Sequence, residues 1–231
     1  MKESFEIAGK IINLFYTENM EEKELPVIIL NTFDEDGQEI WDKSQELNSK
    51  EYILATISNI DWNKEMSPWY MDKLFKTEED YSGKADEYIE ILTSKIVPEI
   101  RKQVDEKLHK KISKFIIAGY SLAGLFAIYS LYKTNLFHQA ISCSGSLWYP
   151  NFLDFAKENV FLGKTEKVYF SLGNKESKTR NELMAKVEEN TKILEQFYKT
   201  QGIQTIYEEN EGNHFQDVSL RLAKGIRWSL E

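Results

Sequence analysis

Cysteine occurs once, at Cys143, in the 231 residues of the chain. No intrachain disulfide can form, so the fold has to be held by packing alone. With three histidines beside that one cysteine, no zinc-ligand spacing can be assembled from soft ligands, and no metal site is expected. Basic residues are also in deficit, 29 against 38 acidic ones, for a formal charge of −9. Nucleic acids and anionic membranes both demand a basic face, so neither is expected as a partner. Long apolar runs are missing too: the stretch over 26–30 falls far short of the ~20 residues that a bilayer span needs. The opening Met1-Lys2-Glu3-Ser4-Phe5-Glu6 lacks the basic start and apolar core of a signal peptide, which makes a cytoplasmic protein the economical expectation. Nothing in the sequence encodes an oligomeric state.

What is present is an alternation of short β-branched runs with longer helical patterns, the mark of a parallel sheet covered by helices on both faces. Strands are expected over 25–31, 52–57, 115–119, 139–143, 167–172 and 204–207, and an antiparallel edge strand or hairpin over 5–17. Helices are expected over 38–47, 84–110 with a kink at Pro98, 122–132, 181–200 and 215–229. The residues Asp34-Glu35-Asp36-Gly37 have turn chemistry. The whole length, 1–231, reads as one α/β domain, interrupted by a stretch over 59–83 without periodicity. That stretch carries Trp62, Trp69, Tyr70, Phe75 and Tyr81. A segment of this length inside a compact domain commonly has a function, here a lid or pocket wall with Trp62 and Trp69 as substrate contacts. The competing role for both tryptophans is to staple the loop to the body.

The junction Gly119-Tyr120-Ser121-Leu122-Ala123-Gly124 joins an apolar strand to an apolar helix. A sharp strand–turn–helix that exposes a serine nucleophile needs small residues two places before and after it, because a Cβ there would strike the adjoining element. Gly119 meets the first demand; Ala123 stands where a second glycine is usual, with Gly124 next. The competing role for Ser121 is an ordinary helix N-cap. Rival serines in Ser142-Cys143-Ser144-Gly145-Ser146 have no helical pattern directly after them and are read as loop residues.

A nucleophilic serine needs a neutral imidazole within reach. His109 sits in a charged helix end and His138 just before a strand, and both read as structural or surface residues. His214, in Glu211-Gly212-Asn213-His214-Phe215, follows the last expected strand on a glycine-containing loop and is the candidate base. In the chain order serine, acid, histidine, the acid falls between 121 and 214. Gly173-Asn174-Lys175-Glu176 follows a strand, so Glu176 is the candidate, with Glu182 as the fallback and a Ser–His pair without a carboxylate as the third option.

With these residues in place, the chain resembles the putative-esterase branch of the α/β-hydrolase superfamily, which includes enterochelin- and bacillibactin-type siderophore esterases and esterase D-like enzymes. The resemblance spans most of the chain. It is carried by the strand over 25–30, by Gly119-Tyr120-Ser121-Leu122-Ala123-Gly124-Leu125, by Ser144-Gly145-Ser146-Leu147-Trp148-Tyr149, by Leu172-Gly173-Asn174-Lys175-Glu176 and by Gly212-Asn213-His214-Phe215. It implies an α/β-hydrolase fold and a mostly parallel central sheet. It also implies two backbone oxyanion donors, from Leu122 and from Phe33, although Thr32-Phe33-Asp34 stands where relatives commonly carry a glycine. Trp148 matches an aromatic near the acyl pocket, and the separate N-terminal domain found in some siderophore esterases is not expected here.

Together these readings predict a serine hydrolase that cleaves a small-molecule carboxylic ester through an acyl-enzyme on Ser121, without metal or organic cofactor. An acyltransferase using the same residues and a non-catalytic ligand-binding protein on a hydrolase fold are the alternatives.

Overall fold

The computed structural model describes residues 1–33 and 36–231. The turn expected over 34–37 therefore falls partly outside the described residues. The chain opens with a hairpin, β1 (Lys2–Ile7) and β2 (Lys10–Phe15), turned by Ala8 and Gly9, both at positive φ. Such a two-residue turn matches the strand twist. β3 (Glu24–Asn31), α1 (Gln38–Glu46) and β4 (Ile53–Ser58) follow. The aperiodic stretch holds a one-turn helix, α2 (Trp62–Glu65), and a two-residue ladder between β5 (Tyr70–Met71) and β6 (Tyr81–Ser82).

The long helix expected over 84–110 is divided. α3 (Ala85–Ile91) runs into a π-helical turn, Leu92–Ile96, and then α4 (Val97–Leu108). Pro98, in the first turn of α4, has no N–H for the carbonyl one turn back. The wider turn immediately before it takes the place of the expected kink. Next come β7 (Lys111–Tyr120), α5 (Leu122–Lys133), β8 (Phe137–Cys143), α6 (Phe152–Glu158), β9 (Lys167–Gly173), a 3₁₀ turn at Met184–Lys186, α7 (Val187–Thr200), β10 (Gln204–Asn210) and α8 (Val218–Leu230).

The strands form one eight-stranded sheet in the order β1-β2-β4-β3-β7-β8-β9-β10. β1, β2 and β4 pair antiparallel, and from β4 to β10 every pairing is parallel. Pro26 lies at a register shift between β3 and β7, where its missing donor costs the ladder least. The central strands alternate by the period of two. Val27 and Ile29 of β3 enter a core with Leu92, Phe126 and Leu194, while Ile28 and Leu30 enter a second core with Ile40, Trp41, Leu222 and Ile226. Helices α3 to α7 thus cover one face of the sheet, and α1 and α8 the other. Both faces of the central parallel strands are buried, which explains their unbroken apolar runs. Among the described residues no helix is long and apolar enough to cross a membrane.

Candidate active site

β7 ends at Tyr120 and α5 begins at Leu122, leaving a single residue for the turn. That residue, Ser121, has φ 57° and ψ −124°, a conformation sterically costly for any side chain with a Cβ. The strain is held from several sides. Ser121 N–H donates to the Cys143 carbonyl at 3.1 Å, and its own carbonyl accepts from Ser146 N–H at 2.9 Å and Gly124 N–H at 3.0 Å. Gly119 is needed for close approach, since a Cβ on it would fall on the Ala123 backbone carbonyl. Ala123 keeps its own Cβ at no such cost. The second tight contact is instead at Gly124, where a Cβ would lie 2.9 Å from Gly145 Cα. The G-x-S-x-A-G spacing thus carries the two glycines where this turn is crowded.

Ser121 Oγ lies 3.0 Å from His214 Nε2, and His214 Nδ1 lies 2.8 Å from Glu176 Oε2. The structure therefore brings together the serine, histidine and carboxylate named from sequence. They arrive from loops after β7, β9 and β10, at the carboxyl ends of neighbouring parallel strands. The acid and histidine loops are stitched to each other: Asn174 N–H donates to Asn210 O at 2.8 Å, Lys175 N–H to Gly212 O at 3.0 Å, and Gly212 N–H to Asn174 Oδ1 at 3.1 Å. Glu182 is exposed in the turn before α7 and makes no contact with His214 among the described residues. His109 caps α4 in a left-handed conformation, and His138 lies on β8 with its Nδ1 buried and unpartnered.

Glu176 is nearly sealed from solvent, with its side chain 4% exposed, whereas His214 keeps 29% exposure toward the cleft. Burial pushes the Glu176 carboxyl up. Hydrogen bonds from His214, Gly173 N–H and Ser144 outweigh that, and the carboxyl ends below its ordinary range. Its Oε1 accepts from Gly173 N–H at 2.6 Å, Ser144 Oγ at 2.7 Å and Arg221 Nη1 at 2.9 Å, so Oε2 is left to the imidazole. Tyr120 donates its hydroxyl to the His214 carbonyl at 2.8 Å. Burial drives that phenol up to about 12, so it remains a donor at neutral pH.

Leu122 is the first residue of α5, and its amide has no acceptor one turn earlier in the helix; it sits at the positive end of the helix dipole. Phe33, two residues past β3, is 60% exposed, and its ring meets Trp62 edge-on at 5.3 Å between centroids. Two lobes of a groove converge on Ser121 and His214. One, of about 550 Å³, is lined by Trp62, Phe75, Tyr81 and Trp148, with Asp61, Glu78 and Glu79 at its edge. The other, of about 410 Å³, is walled by Leu30, Ile40, Val218 and Leu222. Phe33, Trp62 and Phe215 line both, and neither is lined by lysine or arginine among the described residues.

Trp69, expected as a substrate contact or as a staple, lines neither lobe, and its contacts are those of the stapling alternative. Its Nε1–H donates to Pro150 O at 3.0 Å, and its ring packs on Tyr129, Tyr149, Phe152 and Phe155. The physical reason is the one-sided aromatic cluster from α5 and α6, which offers the indole more contact than the cleft does. Sequence reasoning missed Arg221, Tyr120 and Ser144 as neighbours of the site. No local signal marked Arg221, because α8 also carries Lys224 and Arg227 and its sequence reads as an ordinary amphipathic helix.

Against this geometry stand the likenesses to known proteins. The family described as "Putative esterase" matches residues 14–223. A curated relative, the uncharacterized protein YbbA of Bacillus subtilis (strain 168), is 24% identical over 159 residues, 68% of this chain and 63% of the relative. The chain thus spans under two thirds of the length of that relative. Among solved structures, the siderophore hydrolase EstA of Aspergillus nidulans superposes with a TM-score of 0.78 at 16% identity, covering 99% of this chain and 93% of EstA. An IroE-like serine hydrolase from Shewanella oneidensis gives 0.78 at 17% identity over 100% and 79%. At such identities these superpositions speak for the α/β-hydrolase fold.

Proposed function

The chain belongs to the putative esterase family, and within it we propose a serine hydrolase that cleaves small-molecule carboxylic esters, built as one catalytic domain over 1–231. One observation carries the reading: the continuous hydrogen-bonded relay from Ser121 Oγ through His214 to Glu176, at 3.0 and 2.8 Å, on the floor of an open groove.

In this mechanism Ser121 Oγ attacks the ester carbonyl as its proton passes to His214 Nε2. Glu176 holds Nδ1–H, fixes the tautomer and stabilises the imidazolium. The amides of Leu122 and Phe33 serve the oxyanion, each donor contributing roughly 2.7–4 kcal/mol. His214 returns the proton to the leaving alcohol, which departs and leaves an acyl-Ser121 ester. Water, deprotonated by the same imidazole, then attacks that ester, releasing the acid and restoring the serine.

EstA is a siderophore hydrolase by name. For the present chain, a groove edged by Asp61, Glu78 and Glu79 and lined by no lysine or arginine among the described residues favours an uncharged or cationic ester over an anionic one. Trp62 and Trp148 supply aromatic walls for it. The test is labelling by a fluorophosphonate probe together with turnover of neutral, cationic and anionic esters matched in size. Labelling and turnover are both expected, with the anionic ester poorest, and both should vanish in a folded Ser121→Ala protein. Residual turnover in that variant would end the assignment of the nucleophile.

A further inference from the structure

Arg221 projects from α8 beneath the site, and its side chain is 0% exposed. A guanidinium out of water is tolerated only where its charge is paired and its donors are matched. Here Nη1 donates to Glu176 Oε1 at 2.9 Å, to Tyr120 OH at 3.0 Å and to Ser144 Oγ at 3.1 Å. Nη2 donates to the carbonyls of Glu211 at 3.0 Å and Asn213 at 3.1 Å. Nε has no partner among the described residues. The fork therefore reaches every segment that bears a reacting group. Tyr120 directly precedes Ser121, Glu176 is the carboxylate itself, and Asn213 directly precedes His214. Room for the fork is left by Gly173, where a Cβ would stand 2.7 Å from Nη2.

We infer that Arg221 is a positioning residue of the hydrolytic site, locking the acid and the histidine loop onto the nucleophile's strand so that both relay hydrogen bonds form together. The inference rests on the hydrolase reading above. Arg221 touches no reacting atom. It acts by occupying Oε1 of Glu176, which orients Oε2 toward the imidazole, and by clamping the carbonyls that flank the bend at Gly212. It also sets the local charge. The titratable groups that act on Glu176 are His214 itself, Tyr120 from β7, Cys143 from β8, Tyr207 from β10 and Arg221 from α8; Glu208 and Glu188 act on Cys143 and Tyr207 in turn. Arg221 is the permanent cation of this set and opposes the imidazolium that forms during turnover.

Arg221→Met and Arg221→Lys, each alone and combined with Glu176→Gln, test this with a neutral aryl ester. Arg221→Met is expected to lower kcat by about 100-fold or more, the range of a misaligned general base, with KM changed less than about twofold. The acid limb of its kcat/KM profile should move to higher pH, because the carboxylate then stabilises the imidazolium unopposed. In the Glu176→Gln background the same change should cost under about threefold, since the two residues act as a unit. Arg221→Lys keeps the charge without the fork and should recover the pH profile but only part of kcat. Should Arg221→Met not fold, Tyr120→Phe and Ser144→Ala each remove one arm and are expected to lower kcat with little change in melting temperature. A folded Arg221→Met protein with wild-type kcat and pH profile would overturn the inference. So would a loss that adds in full to that of Glu176→Gln, which would mark a purely structural role. The downfield proton resonance of His214 Nδ1–H gives a readout that needs no turnover. It should weaken or shift in Arg221→Met, and an unchanged resonance counts against positioning. Wild-type protein inert to esters and to phosphonate would instead sink the hydrolase reading.

Discussion

Glu176→Gln replaces one oxygen by an amide nitrogen in a site whose donors are already assigned. Three donors converge on Oε1, namely Gly173 N–H, Ser144 Oγ and Arg221 Nη1, whereas Oε2 faces His214 Nδ1 alone. Turning the amide NH₂ toward the three donors would leave buried polar groups unsatisfied, at about 1–3 kcal/mol each. The glutamine oxygen therefore stays with them, and the NH₂ points at the histidine. The imidazole must then offer Nδ1 as an acceptor and carry its proton on Nε2, which faces Ser121 Oγ at 3.0 Å. A protonated Nε2 cannot take the serine proton. The wrong tautomer of a catalytic histidine costs about 10⁴ in kcat where such an exchange has been made elsewhere. A loss of ~10³–10⁴, or about 4–5.5 kcal/mol of barrier, is expected here.

The assay is hydrolysis of a short p-nitrophenyl ester, with thermal unfolding as the check on the fold. KM should change little, because Glu176 lines neither of the two large lobes of the groove. A kcat within about tenfold of wild type would refute the tautomer argument and leave Glu176 a bystander to a Ser–His pair.

Three further outcomes follow from the same geometry. Because its folded pKa is lowered, Glu176 contributes stability that is complete above the ordinary carboxylate range and lost as pH falls through the lowered value, so Glu176→Gln should flatten the acid side of a plot of urea midpoint against pH; an unchanged acid limb would refute this. Gly119→Ala places a methyl on the Ala123 carbonyl and should cost at least about 2 kcal/mol in urea unfolding together with most of the activity, a neutral result contradicting the close approach. Trp69→Ala removes a half-buried indole from the aromatic cluster and should lower stability by about 2–3 kcal/mol while leaving the ranking of ester substrates unaltered; a change of ranking at constant melting temperature would restore it as a pocket residue.

The sequence made the parallel strands, the sharp serine turn and the histidine loop legible because each is local: an apolar run, a pair of glycines or a glycine-bearing loop after a strand. Edges were less legible. β7 begins at Lys111, ahead of the expected Phe115, since its first four residues alternate between exposed and half-buried and read as polar. α7 begins at Val187, after a turn in which Asn181 Oδ1 accepts from the N–H groups of Leu183 and Met184, a local bond that competes with helix. α6, of seven residues, is too short to display a period. Arg221 was invisible for a different reason. Its partners are distant in sequence, 101 residues away at Tyr120 and 45 at Glu176, and an arginine on a helix that also carries Lys224 and Arg227 reads as a solvated side chain.

The placement of the histidine explains why such long-range ties are needed. β10 is the edge strand of the sheet, paired with β9 alone, and its residues are half-buried or exposed. The loop after it has no second strand to steady it, yet it must hold His214 to within a few tenths of an ångström of two partners. The stitching from Asn174 and Lys175 and the fork of Arg221 supply that restraint from behind, on the side away from the groove. The groove wall over 59–83 is anchored independently, through the Trp69 indole on Pro150 and the Tyr149 hydroxyl donating to the Trp69 carbonyl at 2.7 Å. Its cleft-facing residues, Trp62 and Phe75, take no part in the relay or its supports. Substitutions at Trp62 or Phe75 can therefore alter what fits the groove without moving the relay, whereas any change at Arg221 reaches both relay hydrogen bonds at once.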